Sequence, residues 1–185
     1  LEAGADKNRL FRTIEETDRP ERIRMSARAL ASARFIEDDR AVIMTLSRQD
    51  FEETSARPEE LSGLVNQPMS VGAVEVSVLV TEPEAGAIKL SFRSKPPADT
   101  AVGTPFIDVN QLAATFGGGG HVHAAGARMD TSLEDAVEQV GHTGLLFDRL
   151  FHANLGLGRV RTEVAVLVIE LDALIRDGSY HRVVP

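Results

Sequence analysis

The chain has 185 residues, 43% of them hydrophobic, and its formal net charge of −8 argues against a protein that binds long duplex nucleic acid through a basic surface. It contains no cysteine, which excludes disulfides, zinc–thiolate sites and thiol catalysis. No apolar run approaches the roughly 18 residues that span a bilayer. We therefore expect no membrane partner and a cytoplasmic location.

Two helices are predicted at the start of the chain, over residues 7–17 and 20–36. Asp18 and Glu21 have the spacing of a capping pair, and Pro20 suits a first helical turn. The second helix carries a stripe of residues that predicts a narrow apolar face. This stripe consists of Ile23, Ala27, Leu30 and Arg34.

Residues 41–46 form a continuous apolar run, which predicts a buried strand. Short helices are expected near 50–54 and from Pro58 onward. The clearest strands follow, at 71–81 and 87–95, and the turn-type sequence between them predicts an antiparallel hairpin.

The second strand of this hairpin alternates strictly between apolar and polar residues. Ile88, Leu90 and Phe92 are predicted to face a core, while Lys89, Ser91, Arg93 and Lys95 face the other way. We expect Lys89 to point simply to solvent. One face of the strand therefore offers cations and a hydroxyl to a polar environment.

The remainder of the chain is predicted to contain further helices and strands. A loop covers 96–105 and a short helix covers 108–116, with Asp108 and Gln111 at capping-box spacing and Gly117 as its end. A strand is expected at 124–129, and Thr131 with Glu134 caps a further helix. In the tail, 145–155 is expected to be helical, and the type of 164–169 stays open. The order of elements predicts an α/β domain, with α+β as the alternative, built on a mixed sheet with flanking helices.

The sequence from Phe116 to Gly126 contains four consecutive glycines followed by a histidine. Without Cβ atoms, an anion can approach main-chain N–H groups closely, and His121 adds a titratable donor beside them. The alternative is that the glycines only permit a tight crossing between helix and sheet. Residues 89–128 hold four basic and two acidic residues, a net charge of +2, while the remainder carries −10. This distribution favours a small anionic ligand that is held locally.

The block Phe-Gly-Gly-Gly-Gly-His-x-x-Ala-Ala-Gly at 116–126 resembles the signature of the C-terminal, DHH-associated domain of DHH phosphoesterases. The strand Lys89–Ser94 resembles that family's Lys-x-Ser-x-Arg-Ser strand, and Asp108-Val109-Asn110 resembles the start of the helix that leads into its glycines. The similarity is greatest to the nanoRNase/pAp phosphatase group, also described as exopolyphosphatase-related. It covers roughly residues 4–140.

The resemblance implies a division of labour between two domains. It implies linker helices at 1–38, a substrate-binding domain at 39–141 and a C-terminal extension of unknown role at 142–185. The metal-binding aspartate and Asp-His-His motifs are not present, so we expect them, with their manganese or magnesium, in a catalytic DHH domain that precedes this sequence. This chain is then expected to bind no cofactor and to be inactive alone. Its implied partners are that domain, a nucleotide phosphate ligand and a second copy in a homodimer.

The resemblance and the residue chemistry together select a set of candidate phosphate-binding residues. Arg93 offers a planar guanidinium that matches phosphate oxygens. Its alternative is a solvated cation paired with an acid. His121 and His123 form a His-x-His pair, but two ligands are too few for a metal site, so no metal is assigned. The full set is Arg93, Ser94, Gly117, Gly118, Gly119, Gly120, His121 and His123.

Three functions remain open from the sequence. The first is the substrate-binding domain of a phosphoesterase that acts on short oligoribonucleotides or 3′-phosphoadenosine 5′-phosphate. The second is a single-strand or tRNA-end binding module without a hydrolytic role, which the acidic net charge disfavours. The third is an oligomerisation or interaction domain that uses the apolar tail.

Overall fold

A six-stranded mixed sheet with helices on both faces organises the computed structural model, which describes residues 6–96 and 106–142. The helices are α1 (Lys7–Glu15), α2 (Pro20–Ala31), α3 (Arg48–Thr54), α4 (Val109–Ala114) and α5 (Leu133–His142), with 3-10 helices at Pro58–Leu61 and Leu64–Ser70. The strands are β1 (Arg34–Ile36), β2 (Ala41–Leu46), β3 (Val76–Glu84), β4 (Ala87–Ser94), β5 (Gly119–His121) and β6 (Ala124–Asp130). The predicted α/β class and mixed sheet are confirmed.

The strands lie in the order β1-β2-β3-β4-β6-β5. β2 and β3 are parallel, and every other neighbouring pair is antiparallel. Parallel neighbours need a crossover connection, and here residues 47–75 supply it with α3 and both 3-10 helices. The helix and strand predictions for the tail, and most of the predicted loop at 96–105, fall outside the described residues.

Each face of the sheet has its own hydrophobic core. On one face Leu90 and Phe92 of β4 pack with Leu112 of α4. On the other face Met25 of α2 packs with Met44 of β2 and with α3. The predicted alternation of β4 is confirmed, since its apolar residues at 88, 90 and 92 are at most 2% exposed.

The predicted second helix is too long. It ends at Ala31, and Arg34–Ile36 forms β1 instead. Ser32 explains the end, because its hydroxyl bonds the carbonyl of Ala29 and also exchanges hydrogen bonds with the main chain of Thr45 in β2. The side chain that ends the helix therefore also attaches it to the sheet.

The predicted apolar face of α2 is also wrong. Ile23 and Leu30 are 60% and 44% exposed, while Met25 and Ala29 are fully buried. The helix turns this face inward because Met25 and Ala29 pack on β2 and α3. Asp18 does not cap the helix, since it accepts instead from the guanidinium of Arg22 at 2.6 Å.

Two further predicted boundaries differ. β3 begins at Val76, not at residue 71, because the second 3-10 helix runs to Ser70 and a bend follows it. The last described helix is capped by Ser132, whose hydroxyl accepts from the N–H of Asp135, and not by Thr131.

Charged hydrogen bonds hold α2 against α3. Arg28 donates to Asp50 at 2.8 Å and to Glu53 at 2.6 Å. Burial acts to raise the pKa of Asp50, but hydrogen bonds from Arg28 and Ser47 outweigh it and bring the pKa below its usual range. No helix within 6–96 or 106–142 is long and apolar enough to cross a membrane.

Candidate functional site

Among residues 6–96 and 106–142, no α-helix covers one half of one sheet face, and we call this half the open face. α2, α3 and the second 3-10 helix cover β2 and β3 on this side. The side chains of β4, β6 and β5 on the same side are exposed or half-buried. The open face consists of Ala87, Lys89, Ser91, Arg93, Gly119, His121, Ala124, Gly126, Arg128 and Asp130.

Three of these residues form a straight row across the strands. Arg93 of β4 pairs with Ala124 of β6, and Ala124 pairs with His121 of β5. Residues directly opposite one another in an antiparallel pair point to the same face. Arg93 and His121 therefore share the open face, and the small side chain of Ala124 leaves the space between them clear.

The two ends of this row differ in how firmly they are held. Arg93 is half-buried, and its Nη1 donates to the carbonyl of Phe92 at 2.8 Å. That single bond leaves most of the five guanidinium N–H donors for another acceptor. His121 is exposed at the edge of the sheet. The guanidinium of Arg93 on β4 and the imidazole of His121 on β5 thus lie on the same face, with β6 between them.

A cavity of about 260 Å³ adjoins Arg93. Lys89, Ser91 and Arg93 line one wall, and the first 3-10 helix with the residues after it, including Glu59 and Ser62, lines the other. Its size is close to the lower end of the ~300–1,000 Å³ typical of small-molecule pockets. Lys89 is exposed, as the sequence predicted, and it also lines this cavity.

The first two glycines serve the crossing from α4 to the sheet edge. Gly117 follows the helix with φ +70°, a left-handed conformation that favours glycine. A Cβ on Gly118 would lie 2.2 Å from the carbonyl oxygen of Gly126 and 2.6 Å from the Cβ of Ala127. Gly118 therefore permits a main-chain approach to β6 that no side chain allows.

Hydrogen bonds within the protein use several of the glycine N–H groups. Gly117 donates to Ala114 and Gly118 donates to Ala113 at the end of α4. Gly120 donates to the side-chain oxygen of Asn110 at 2.8 Å. The hypothesis that these amides cradle an anion needs free donors, and these three already have acceptors. The geometry favours the tight-crossing explanation for them.

Ser94 and His123 lie on the opposite face from the row. The hydroxyl of Ser94 and Nδ1 of His123 are 2.9 Å apart, and the N–H of Ser94 donates to the carbonyl of His123. Ser94 is only 6% exposed, and the ring of Phe106 lies 5.5 Å from that of His123. The predicted site residues therefore separate into two groups, with Arg93 and His121 on the open face and this pair behind it.

The turn at Val122-His123 is fixed from two sides. Val109, at the start of α4, donates its N–H to the carbonyl of Val122 at 2.9 Å, and the Ser94–His123 pair holds the other side. Because His121 immediately precedes this turn, these contacts set where its imidazole stands. Ser94 and His123 thus position the edge of the open face.

The DHHA1 domain family matches residues 38–143. The chain belongs to this family. Its domain is the DHH-associated domain of the DHH superfamily, as the glycine–histidine block and the Arg-Ser strand indicated. The match includes β2 to β6 and therefore the whole open face.

Two solved structures of other proteins are similar to this DHHA1 chain to different degrees. An exopolyphosphatase-related protein from Bacteroides fragilis is 27% identical, with a TM-score of 0.64 over 80% of this chain and 42% of that one. A pGpG-specific phosphodiesterase, PggH from Vibrio cholerae, is 12% identical, with a TM-score of 0.46 over 80% of this chain and 46% of that one. The DHHA1 chain thus spans less than half the length of these structural relatives.

The described part of the DHHA1 domain offers no fit to a metal ion. Across 6–96 and 106–142, no three His, Asp or Glu side chains come close enough to hold one. His121 and His123, which the sequence places two apart, lie on opposite faces of the sheet because His123 belongs to the turn that Ser94 holds. No step of a reaction is therefore assigned to a metal on these residues.

Asn110 is a positioning residue that the site prediction missed. It stands in the first turn of α4, ten residues before the glycine whose N–H it accepts. It lies two residues after the helix cap Asp108, within the Asp108-Val109-Asn110 stretch that resembles the family's helix start, and that stretch does not reveal a partner at Gly120.

Proposed function

We propose that this chain is the substrate-binding domain of a DHH-family phosphoesterase. It holds the phosphate or nucleotide end of a short oligoribonucleotide, or of 3′-phosphoadenosine 5′-phosphate, on the open face. One observation carries the proposal, namely the row in which Arg93 and His121 flank the small Ala124. The space above the small side chain of Ala124, between a guanidinium and an imidazole, suits the size and charge of one phosphate group.

Catalytic metal chemistry belongs, in this proposal, to a DHH domain outside the chain. Manganese or magnesium in that domain would supply the activated water, and Arg93 and His121 would hold the substrate in position. We expect no hydrolysis of a phosphoester by the 185-residue chain with either metal. The absence of cysteine is compatible with a reducing compartment, and the cytoplasm is the location we propose.

The helices before the DHHA1 match suit contact with that domain. Leu10 and Phe11 of α1 are 49% and 55% exposed, and Ile23 of α2 is 60% exposed. Large apolar side chains that are exposed are typical of a surface that another domain or subunit covers. We propose the preceding DHH domain as this partner, with a homodimer as the alternative.

The single-strand binding alternative has less support. Sequence-tolerant binding of single strands uses aromatic platforms on which bases stack. The open face holds no aromatic side chain other than the imidazole of His121. An affinity that rises steeply with oligonucleotide length would favour this alternative.

Calorimetric titration with 5′-phosphorylated diadenylate and with 3′-phosphoadenosine 5′-phosphate tests the proposal. Arg93→Gln is expected to raise the Kd of both about tenfold, the effect of losing a charged hydrogen bond. Arg48→Gln, at an exposed arginine of α3, removes the same charge and is expected to leave both unchanged. Equal affinities of the Arg93 variant and the unsubstituted chain would overturn the proposal.

A further inference from the structure

Two cations face each other directly on the open face. Lys89 of β4 and Arg128 of β6 are Cα partners, and both are exposed. Like charges directly opposite one another destabilise a sheet. Neither side chain makes an ion pair or a hydrogen bond with any residue in the described ranges. The pair therefore carries a cost that nothing within 6–96 or 106–142 offsets by direct contact.

The pair lies at a distance from the Arg93–His121 row. Arg93 follows Lys89 by four positions, a distance of about 14 Å along an extended strand. Both face the same side, and Lys89, Ser91 and Arg93 of β4 line the cavity of about 260 Å³. Arg128 and His121 lie on the other side of β4, on β6 and β5. One phosphate group cannot contact both positions at once, so the open face has two separate cationic positions.

Acidic neighbours do not cancel this charge. Asp130 follows Arg128 by two residues on the same face, and Glu59 lines the cavity opposite β4. Neither carboxylate lies within 4 Å of Lys89, Arg93 or Arg128, since none of these three cations forms an ion pair with a described residue. The open face thus holds cations at both positions that form no ion pair with a residue in 6–96 or 106–142.

We propose that Lys89 and Arg128 form a second anion subsite, which binds a further phosphate of the ligand whose end is held by Arg93 and His121. This inference rests on the proposed function and deepens it. In a ligand with two separated phosphates, the second phosphate would lie between Lys89 and Arg128. Its attraction to both cations would offset their repulsion. The substrate class that fits is a short oligonucleotide, since a mononucleotide with one phosphate reaches only one of the two cationic positions.

The Kd values of adenosine 5′-monophosphate and of 5′-phosphorylated triadenylate, measured over a range of salt concentrations, test the subsite. Lys89→Gln and Arg128→Gln are each expected to raise the Kd of the triadenylate about threefold, as for an exposed ion pair. Each is also expected to lower the slope of log Kd against log salt by about 0.7, the value for one phosphate contact on a single strand. The Kd of the monophosphate stays unchanged, and Arg48→Gln changes neither.

The outcomes separate this inference from the proposed function. If Lys89→Gln and Arg128→Gln leave the triadenylate unaffected while Arg93→Gln weakens both ligands, the subsite is refuted and the proposed function stands. If Arg93→Gln weakens neither ligand, the proposed function itself is refuted. Equal weakening of both ligands by Lys89→Gln would refute the separation of the two anion positions.

The ligand-free protein gives a second readout. Neutralising either cation removes the repulsion, so Lys89→Gln and Arg128→Gln are each expected to raise the melting temperature at low salt. The increase is expected to disappear at high salt, because the charges are then screened. A melting temperature that falls at low salt would contradict the claim that the two cations oppose each other without compensation.

Discussion

Gly118 provides the sharpest test of why the chain carries four glycines. In Gly118→Ala the new Cβ would stand 2.2 Å from the carbonyl oxygen of Gly126 and 2.6 Å from the Cβ of Ala127. Both neighbours belong to β6, whose main chain is fixed on either side by sheet pairing. Overpacking costs about 1–3 kcal/mol, and because the obstacle is backbone we expect about 3 kcal/mol.

Neighbouring glycines supply matched controls. Gly117→Ala meets no atom within 4 Å but keeps φ at +70°, so it is expected to cost about 1 kcal/mol from the left-handed conformation alone. The nearest atom to a Cβ on Gly119 is the side-chain oxygen of Asn110 at 3.4 Å, and Gly119→Ala is expected to stay within about 0.5 kcal/mol of the parent chain.

Chemical denaturation of the three variants, with equal m-values as the check on two-state behaviour, gives this order directly. A Gly118→Ala chain as stable as Gly119→Ala would refute the close-approach argument. The same Gly119→Ala chain also tests the alternative role of the segment. If bare amides in this stretch bind the ligand, its affinity falls although its stability does not.

Four other substitutions probe the contacts around the site and the α2–α3 interface. Because the pKa of Asp50 is lowered on folding, its contribution to stability is present above the ordinary carboxyl pKa of about 3.9 and is lost as the pH falls below it. Arg28→Gln should lower the free energy of unfolding at pH 7 and flatten its decline in acid, and an unchanged pH profile would contradict this. Ser94→Ala and His123→Ala should each cost about 1 kcal/mol, and the double variant should cost less than their sum, whereas strict additivity in denaturation would show that the two do not interact. Asn110→Ala should cost about 1 kcal/mol and accelerate amide exchange in the glycine segment, and unchanged exchange rates would argue against its positioning role.

Local patterns predicted the elements in which one signal dominates. The apolar run at 41–46 coincides with β2, and strict alternation gave the buried and open faces of β4. Asp108 was expected to begin α4, and its carboxylate accepts the N–H groups of Asn110 and Gln111. Each of these features depends on neighbours in sequence, which is why the sequence alone reveals them.

The remaining features depend on contacts between distant residues. β1 forms because Arg34–Ile36 pairs with β2 across a connecting turn. Three residues of this turn, Glu37 to Asp39, have left-handed φ angles, and no apolar pattern in the sequence marks the strand. β5 is made largely of glycine, whose low strand propensity conceals a strand formed by close approach to β6. Ser94 and Arg93 are adjacent in sequence, yet they face opposite sides of the sheet, so a motif that contains both does not describe one site.

The side of the sheet that binds the ligand is the central question, and the two histidine rings can report it. Nuclear magnetic resonance spectra of the 185-residue chain, recorded during titration with 5′-phosphorylated diadenylate, distinguish the imidazole signals of His121 and His123 and the Nε–H signal of Arg93. We predict that the ligand shifts the signals of His121 and Arg93 and leaves the ring of His123 unchanged. Shifts at the ring of His123, with Arg93 and His121 unaffected, would contradict the account.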